Sequence, residues 1–304
     1  MLNPEKQLYK KVFAKESPLS SSEEAVYRWY LENSYFRKER ADRQQLKDMD
    51  KFKKIDGYSN EEIEINKQEV LEQRRREHEK DKTQRGEIFE TIIGEYGDLN
   101  GWFGDMAVAK TTEYDDRINH TDLVLEGEIK NGEKVHIAID CTVSENLNNL
   151  YKKVKRIADE IEDDTLTTIK YFQSAENEEV MGELEYVPRV IIAIQPHRLN
   201  ELCEQAIKII DKEKGSNKQF SKSYTQFFLL MQIEAQLQKQ KELANLPKKD
   251  GSSHPEVIRN SIDTALTKIE NIIEEKKGFL DGDTLQEAKD VFEKSGYSSA
   301  LSGF

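Results

Sequence analysis

Apolar residues are spaced in three different ways along this chain. Over roughly the first 57 residues they recur at helical spacing among many charges, with Tyr27, Tyr30, Tyr35 and Phe36 about a turn apart. The segment SSSEEAVYRWYLENSYFRKERADRQQL opens on serines with acids close behind, which predicts a capped helix start. Its aromatic face reads as a helical docking surface, with a stacking platform for bases as the sharper alternative. SNEEIEINKQEVLEQRRREHEKDKTQRGEIFETIIGEYGDL predicts a second long helical region capped by Ser59 or Asn60. Inside it, the run RRREHEKDK has no apolar face and should be solvated, and its acids dilute any nucleic-acid contact.

From Gly86 onward the pattern tightens. Ile88, Phe89, Ile92, Ile93 and Tyr96 share one helical face. MAVAKTT, HTDLVLEGEI and EKVHIAIDCTV then read as strands, the last two joined at Asn131-Gly132, a strong hairpin signal. ENLNNLYKKVKRIADEIEDD returns to helical periodicity through Leu147, Leu150, Tyr151, Val154, Ile157, Ala158 and Ile161. TIKYFQS reads as a short strand and VPRVIIAIQP, continuously apolar, as a buried one. HRLNELCEQAIKIIDKEKG closes the unit as a helix.

The last third predicts two amphipathic helices separated by the loop PKKDGSSHP, then the short helix DTLQEAKDVFEKSG and a frayed tail, YSSALSGF. Three regions follow: a charged helical stretch over 1–85, an α/β core over 86–215 and a helical region over 216–304.

Composition narrows the class. The 304 residues are 36% hydrophobic and 35% charged, which predicts one or two domains with long solvated helices. Residues 1–85 carry 20 Lys and Arg against 18 Asp and Glu, so the net charge of −13 leaves −15 for the remainder. Such a surface repels nucleic acid at long range and argues against non-specific coating of DNA, though not against a locally basic groove. Cys141 and Cys203 have no CxxC partner, the five histidines lack metal-ligand spacing, and no phosphate-binding glycine loop is present. No apolar run reaches signal-peptide or membrane-spanning length, so a cytoplasmic protein with no membrane partner is expected.

Two aspartates remain unexplained. DRINHTDLVLE and HIAIDCT each place one carboxylate, Asp122 and Asp140, in a strand-like run, where burial is costly without a partner. The central order of helix, three strands, helix, strand and helix resembles the core of the PD-(D/E)XK nuclease superfamily. The matching residues are Gly86 and Glu90 in GEIFE, Asp122 opening the second strand, and Asp140 near the end of the third. The likeness covers roughly 125 of the 304 residues.

That resemblance implies a restriction-endonuclease-like mixed sheet in α-β-β-β-α-β order, flanked by the N- and C-terminal helices. It also implies a Mg²⁺-dependent nuclease, with Mn²⁺ as a substitute, acting on DNA through Asp122, Asp140 and Glu90. The backbone carbonyl of Cys141 would be a further oxygen ligand. Hard cations favour such donors, and phosphodiester hydrolysis needs the charge neutralisation they bring. In the family a lysine follows the third-strand acid after one spacer, and here Thr142 stands at that position. Elsewhere in the superfamily the lysine has moved to another element. With Val154 at the centre of the buried face of YKKVKR, Lys153 and Lys155 lie about 100° to either side, whereas Lys152 and Arg156 are opposite and solvated. Lys153 is the first candidate, Lys155 the second and Lys110 the third.

Each residue has an ordinary reading as well. Asp122 could bond the turn Asn119–Thr121, and Asp140 the next helix N-terminus near Ser144 or Glu145. The lysines could be flank residues with solvated heads. Glu90 lies at the edge of its apolar face, and Glu87 opposite it in solvent. His120 could contact phosphate, act as a base or only brace its turn. Asp116 and Arg117 could pair, and Cys141 reads as a small buried residue. The alternative to a nuclease is a catalytically inactive nuclease-fold protein whose helices serve protein partners or self-association.

Overall fold

The computed structural model describes residues 19–77, 84–248 and 251–304. The start of the first helical region, the half of RRREHEKDK from His78 onward, and Lys249–Asp250 in the C-terminal loop lie outside the described residues.

The N-terminal stretch forms α1 (Ser21–Glu32), α2 (Ser34–Gln44), a 3-10 turn (Asp50–Lys54) and α3 (Asn60–Glu77). Ser20 and Glu23 make a capping box at α1, each side chain serving the other's backbone N–H. There follow α4 (Gln84–Thr91), which continues as a π turn (Ile92–Gly97), β1 (Ala107–Lys110), α5 (Glu113–Arg117), β2 (Leu123–Glu128), β3 (Lys134–Val143) and α6 (Leu147–Glu162). Next come β4 (Thr167–Gln173), β5 (Met181–Val187), β6 (Arg189–Ile194) and α7 (Pro196–Ile210). The chain ends with α8 (Ser216–Phe220), α9 (Tyr224–Asn245), α10 (Glu256–Phe279), α11 (Gly282–Lys294) and α12 (Tyr297–Ala300).

The fold is mixed α/β. Four strands pair in the order β1-β2-β3-β6, antiparallel except for the parallel β3/β6 pair, and β4-β5 is a separate two-stranded sheet. Alternation along β3 sorts its side chains. Ile137, Ile139 and Cys141 join a core with α4, α7 and α9, while Ala138 packs beneath β4-β5. Asp140 and Thr142 therefore share the face of Ala138, where α6 also lies, its Val154 and Ile157 packing with Ile191.

The C-terminal helices complete the sheet. Gln232, Gln236 and Gln240 are fully buried on one face of α9. Gln236 accepts from Ile191 N–H at 2.9 Å and donates to its carbonyl at 2.8 Å, and Gln232 does the same for Ala193 at 2.7 and 2.9 Å. Gln240 donates to the Arg189 carbonyl at 2.8 Å. Four helical residues rise about 6 Å and two strand residues about 6.6 Å, so an i, i+4 glutamine series stays in step with alternate residues of an edge strand. The ladder satisfies the outer edge of β6, which would otherwise offer unpaired groups for association.

Two expectations need correction, and two elements went unforeseen. The tail is not frayed: Tyr297 is buried and donates to the Ile191 carbonyl at 2.7 Å, while Ala300 and Leu301 pack against α6. Strand β5 and helix α5 carry too little apolar periodicity to have been foreseen. Helix α6 begins at Leu147 with Asn146 as its cap, so neither Ser144 nor Glu145 starts it.

Candidate functional site

The two aspartates sit beside each other at the ends of neighbouring strands. Leu123 is the last paired residue of β2, opposite Ile139, which leaves Asp122 facing the Asp140–Cys141 peptide. Its backbone N–H donates to the Ile139 carbonyl at 2.8 Å, and its Oδ2 accepts from Cys141 N–H at 2.7 Å. Asp122 thus binds across to the next strand.

Asp140 has another partner. Lys153 Nζ lies 2.6 Å from Asp140 Oδ1 and also donates to Thr142 Oγ1 at 2.6 Å. Asp140 and Thr142 are both buried, and the lysine side chain is about one-third exposed. The geometry follows from the fold. Asp140 and Thr142 share a strand face, α6 lies over that face, and Val154 inserts into the core and fixes the rotation of the helix. Lys153, one residue earlier, is turned about 100° from that core line and meets the strand end.

Glu90 projects from α4 and is buried. It lines a cavity with Arg43, Lys110 and Asp116, beneath the N-terminal helices. Burial, then the charges of Asp122, Glu90 and Asp140, push the Cys141 thiol well up, with Lys153 opposing them. Cys141 is therefore a neutral buried thiol whose side chain lies in the apolar core.

His120 sits in the turn between α5 and β2. Its φ of +53° is in the left-handed region, which His tolerates better than most residues but at a cost. The turn is held from several directions. Buried Arg189 donates to the Asn119 carbonyl at 2.8 Å and pairs with Glu160 of α6. Asn119 donates to Asp115 Oδ1 at 2.7 Å, and Thr121 N–H to the Asp115 carbonyl at 3.0 Å. Asp115 in turn accepts from the backbone N–H groups of Lys170 and Tyr171 in β4 at 2.7 and 2.9 Å. Burial, with the charges of Arg156 and Arg189, holds the His120 imidazole down at about 4, so it is neutral near pH 7.

On the other flank an ion network ties the N-terminal helices to α5. Arg43 pairs with Asp116 at 2.5 Å and with Glu113 at 3.4 Å, and Glu113 also receives Arg74 at 3.0 Å and Arg117 at 2.5 Å. Asp116 and Arg117 therefore each pair with residues of other positions, as well as lying next to one another in sequence. Burial works against ionising Glu113, but Arg43 and Arg117 outweigh it and hold its carboxyl low.

The remaining candidates are elsewhere. Lys155 is exposed and pairs within its helix with Asp159 at 2.8 Å. Lys110 pairs with Glu39 at 2.8 Å and stands over the Tyr30 ring. Glu87 is half-buried, not solvated, and accepts from the Tyr27 hydroxyl at 3.0 Å. Arg189 escaped notice in the sequence, although an arginine opening a continuously apolar strand was a usable signal.

Among the described residues, no three His, Cys, Asp or Glu side chains come together as a set able to hold a metal ion. Two carboxylates from adjacent strand ends, with water, still match the donor set Mg²⁺ favours. No helix among the described residues is long and apolar enough to cross a membrane. Comparison with protein-family models, with curated proteins and with solved structures found no match to this chain.

Proposed function

We propose that the chain is a metal-dependent phosphodiesterase of the nuclease kind, acting on DNA, in which Lys153 takes the place of the motif lysine. The observation that carries this reading is the pair of 2.6 Å contacts from Lys153 Nζ to Asp140 Oδ1 and Thr142 Oγ1. A lysine from the next helix thereby reaches the strand position where the motif has lysine and this chain has Thr142. The order α4, β1, β2, β3, α6, β6, with β6 parallel to β3, supports a restriction-endonuclease-like core, into which β4-β5 is inserted.

In this reading Asp122, Asp140 and the backbone carbonyl of Cys141 would hold Mg²⁺ or Mn²⁺, and Glu90 is a further acid from α4. The ion, when bound, supplies charge neutralisation on the phosphate and lowers the pKa of water. Lys153 positions the attacking water with its ammonium, and the Thr142 hydroxyl gives that water a second hydrogen-bond partner. The chain's net charge of −13 means that substrate attraction is a local property of this face.

The test is a cleavage assay with Mg²⁺ or Mn²⁺ on single- and double-stranded substrates, comparing wild type with Asp140→Ala. Cleavage lost in the variant supports the reading, and cleavage that survives it belongs to a contaminant. A second reading has an observation of its own. Asp140 is neutralised by Lys153 and Asp122 is bonded to Cys141, so both acids are satisfied internally. Wild-type protein that never cleaves, with either ion, favours a nuclease-fold interaction module.

A further inference from the structure

Two side chains on the elements around Asp140, Arg156 of α6 and His120 of the turn before β2, are not used in the arrangement above. Arg156 follows Lys153 by three residues on α6, so the two project from the same side of the helix one turn apart. Arg156 is exposed, and among the described residues it makes no hydrogen bond or ion pair, only longer-range contacts with Glu160, Arg189 and His120. His120 is half-buried, and neither ring nitrogen has a hydrogen-bond partner among the described residues.

The fold places these two groups together. Arg189 binds the carbonyl of Asn119, the residue before His120, with one end of its guanidinium and Glu160, one turn past Arg156, with the other. That clamp brings the His120 turn against α6 beside the Asp140–Lys153 pair. Asp115 holds the same turn from behind. A histidine is thus kept at φ +53° with its ring uncommitted, next to an uncommitted guanidinium. Both are donors suited to phosphate oxygens, and arginine in particular binds them through a fork of N–H groups. Glu160 is taken by Arg189, so it does not neutralise Arg156 directly.

We propose that Arg156 and His120 form a seat for a phosphate group of the substrate backbone, adjoining the one positioned at Asp140 and Lys153. The inference rests on the phosphodiesterase reading for the identity of the substrate but not for the existence of the seat. It would supply a local positive site on a chain whose net charge is −13.

The experiment is metal-free binding of a short fluorescein-labelled duplex to the full chain over a range of salt concentrations. Arg156→Gln, His120→Gln and Lys152→Gln are compared with wild type. Lys152 is exposed on the same helix and removes the same charge, so it controls for general electrostatics. The expected result is about tenfold weaker binding for Arg156→Gln and several-fold for His120→Gln. The salt slope should fall by about one for Arg156→Gln, with little change in affinity for Lys152→Gln. Arg156→Gln matching Lys152→Gln in both affinity and slope overturns the seat.

A second arm uses inorganic phosphate and reads the NMR signals of the Arg156 Nε–H and the His120 ring. Phosphate should shift both and leave Arg37, a surface arginine, unmoved; no shift at Arg156 and His120 overturns the seat whatever the duplex does. Failure of the two ideas is distinguishable. Phosphate bound at Arg156 without cleavage by wild type removes the hydrolytic reading alone. Cleavage with unchanged KM and salt slope in Arg156→Gln removes the seat alone.

Discussion

Lys153 and Asp140 stand thirteen residues apart in sequence, on a helix and a strand, and meet at 2.6 Å with the Thr142 hydroxyl as a shared neighbour. The contact brings a cation from the next helix to the strand end two residues past the acid.

If Lys153 serves as the motif lysine, Lys153→Met abolishes most cleavage, with a loss of about a hundredfold or more in rate. Returning the cation to the strand in Thr142→Lys/Lys153→Met should recover part of it. Single-turnover rates with Mg²⁺ check both variants. Equal activity in Lys153→Met and wild type sinks the assignment.

Asp122 has a structural duty as well as a proposed ligand role, and two substitutions separate them. Asp122→Ala leaves the buried Cys141 N–H without its acceptor and should cost about 1–3 kcal/mol in urea unfolding. Asp122→Asn keeps an acceptor oxygen and should lose much less stability, while both variants lose cleavage. Equal stability of the two variants would show that the bond to Cys141 matters little.

The glutamine ladder makes a prediction far from the chemistry. Gln236→Leu leaves the Ile191 N–H without its acceptor at a buried sheet edge and leaves the Ile191 carbonyl only the Tyr297 hydroxyl, and should destabilise the fold by on the order of 1–3 kcal/mol. Gln236→Glu should also destabilise, because a carboxylate cannot donate to the Ile191 carbonyl. Denaturant midpoints at constant m-value measure both.

A pH dependence is built into a second cleft, which Glu95 lines with Tyr35, Glu39 and Lys110. Burial, and then the charge of Glu39, push the Glu95 carboxyl up to about 7 from its ordinary 4.5. A raised carboxyl favours the folded state most when protonated. Its contribution is therefore fully present below about 4.5 and is lost as pH rises through about 7. Wild-type Tm should fall relative to Glu95→Gln across that window, with the two curves parallel above it. Parallel curves throughout would mean that Glu95 titrates normally.

Much of the core is legible along the chain. Alternation in HTDLVLE and VHIAIDCT, with the Asn131-Gly132 turn between them, specifies two paired strands, because a one-residue slip would reverse every side chain. Helical spacing from Leu150 to Ile161 specifies which face of α6 is buried, and hence that Lys153 sits at its margin. These are local consequences of period and propensity, so a single sequence carries them.

What the chain could not disclose are relations between distant elements. Gln232, Gln236 and Gln240 read as polar residues of an amphipathic helix; they are buried because an edge strand presents unpaired N–H and C=O groups at a matching rise. The tail reads as frayed because short terminal segments are usually poorly tied down, and it is ordered because Tyr297 finds a carbonyl of the edge strand β6. Arg156 reads as merely solvated, and its place beside His120 depends on the clamp that Arg189 closes between a turn and a helix. Sequence periodicity determined which residues face inward on each element. Tertiary packing alone decided which lysine reaches Asp140, since that depends on how α6 crosses the end of β3, a contact no local pattern encodes.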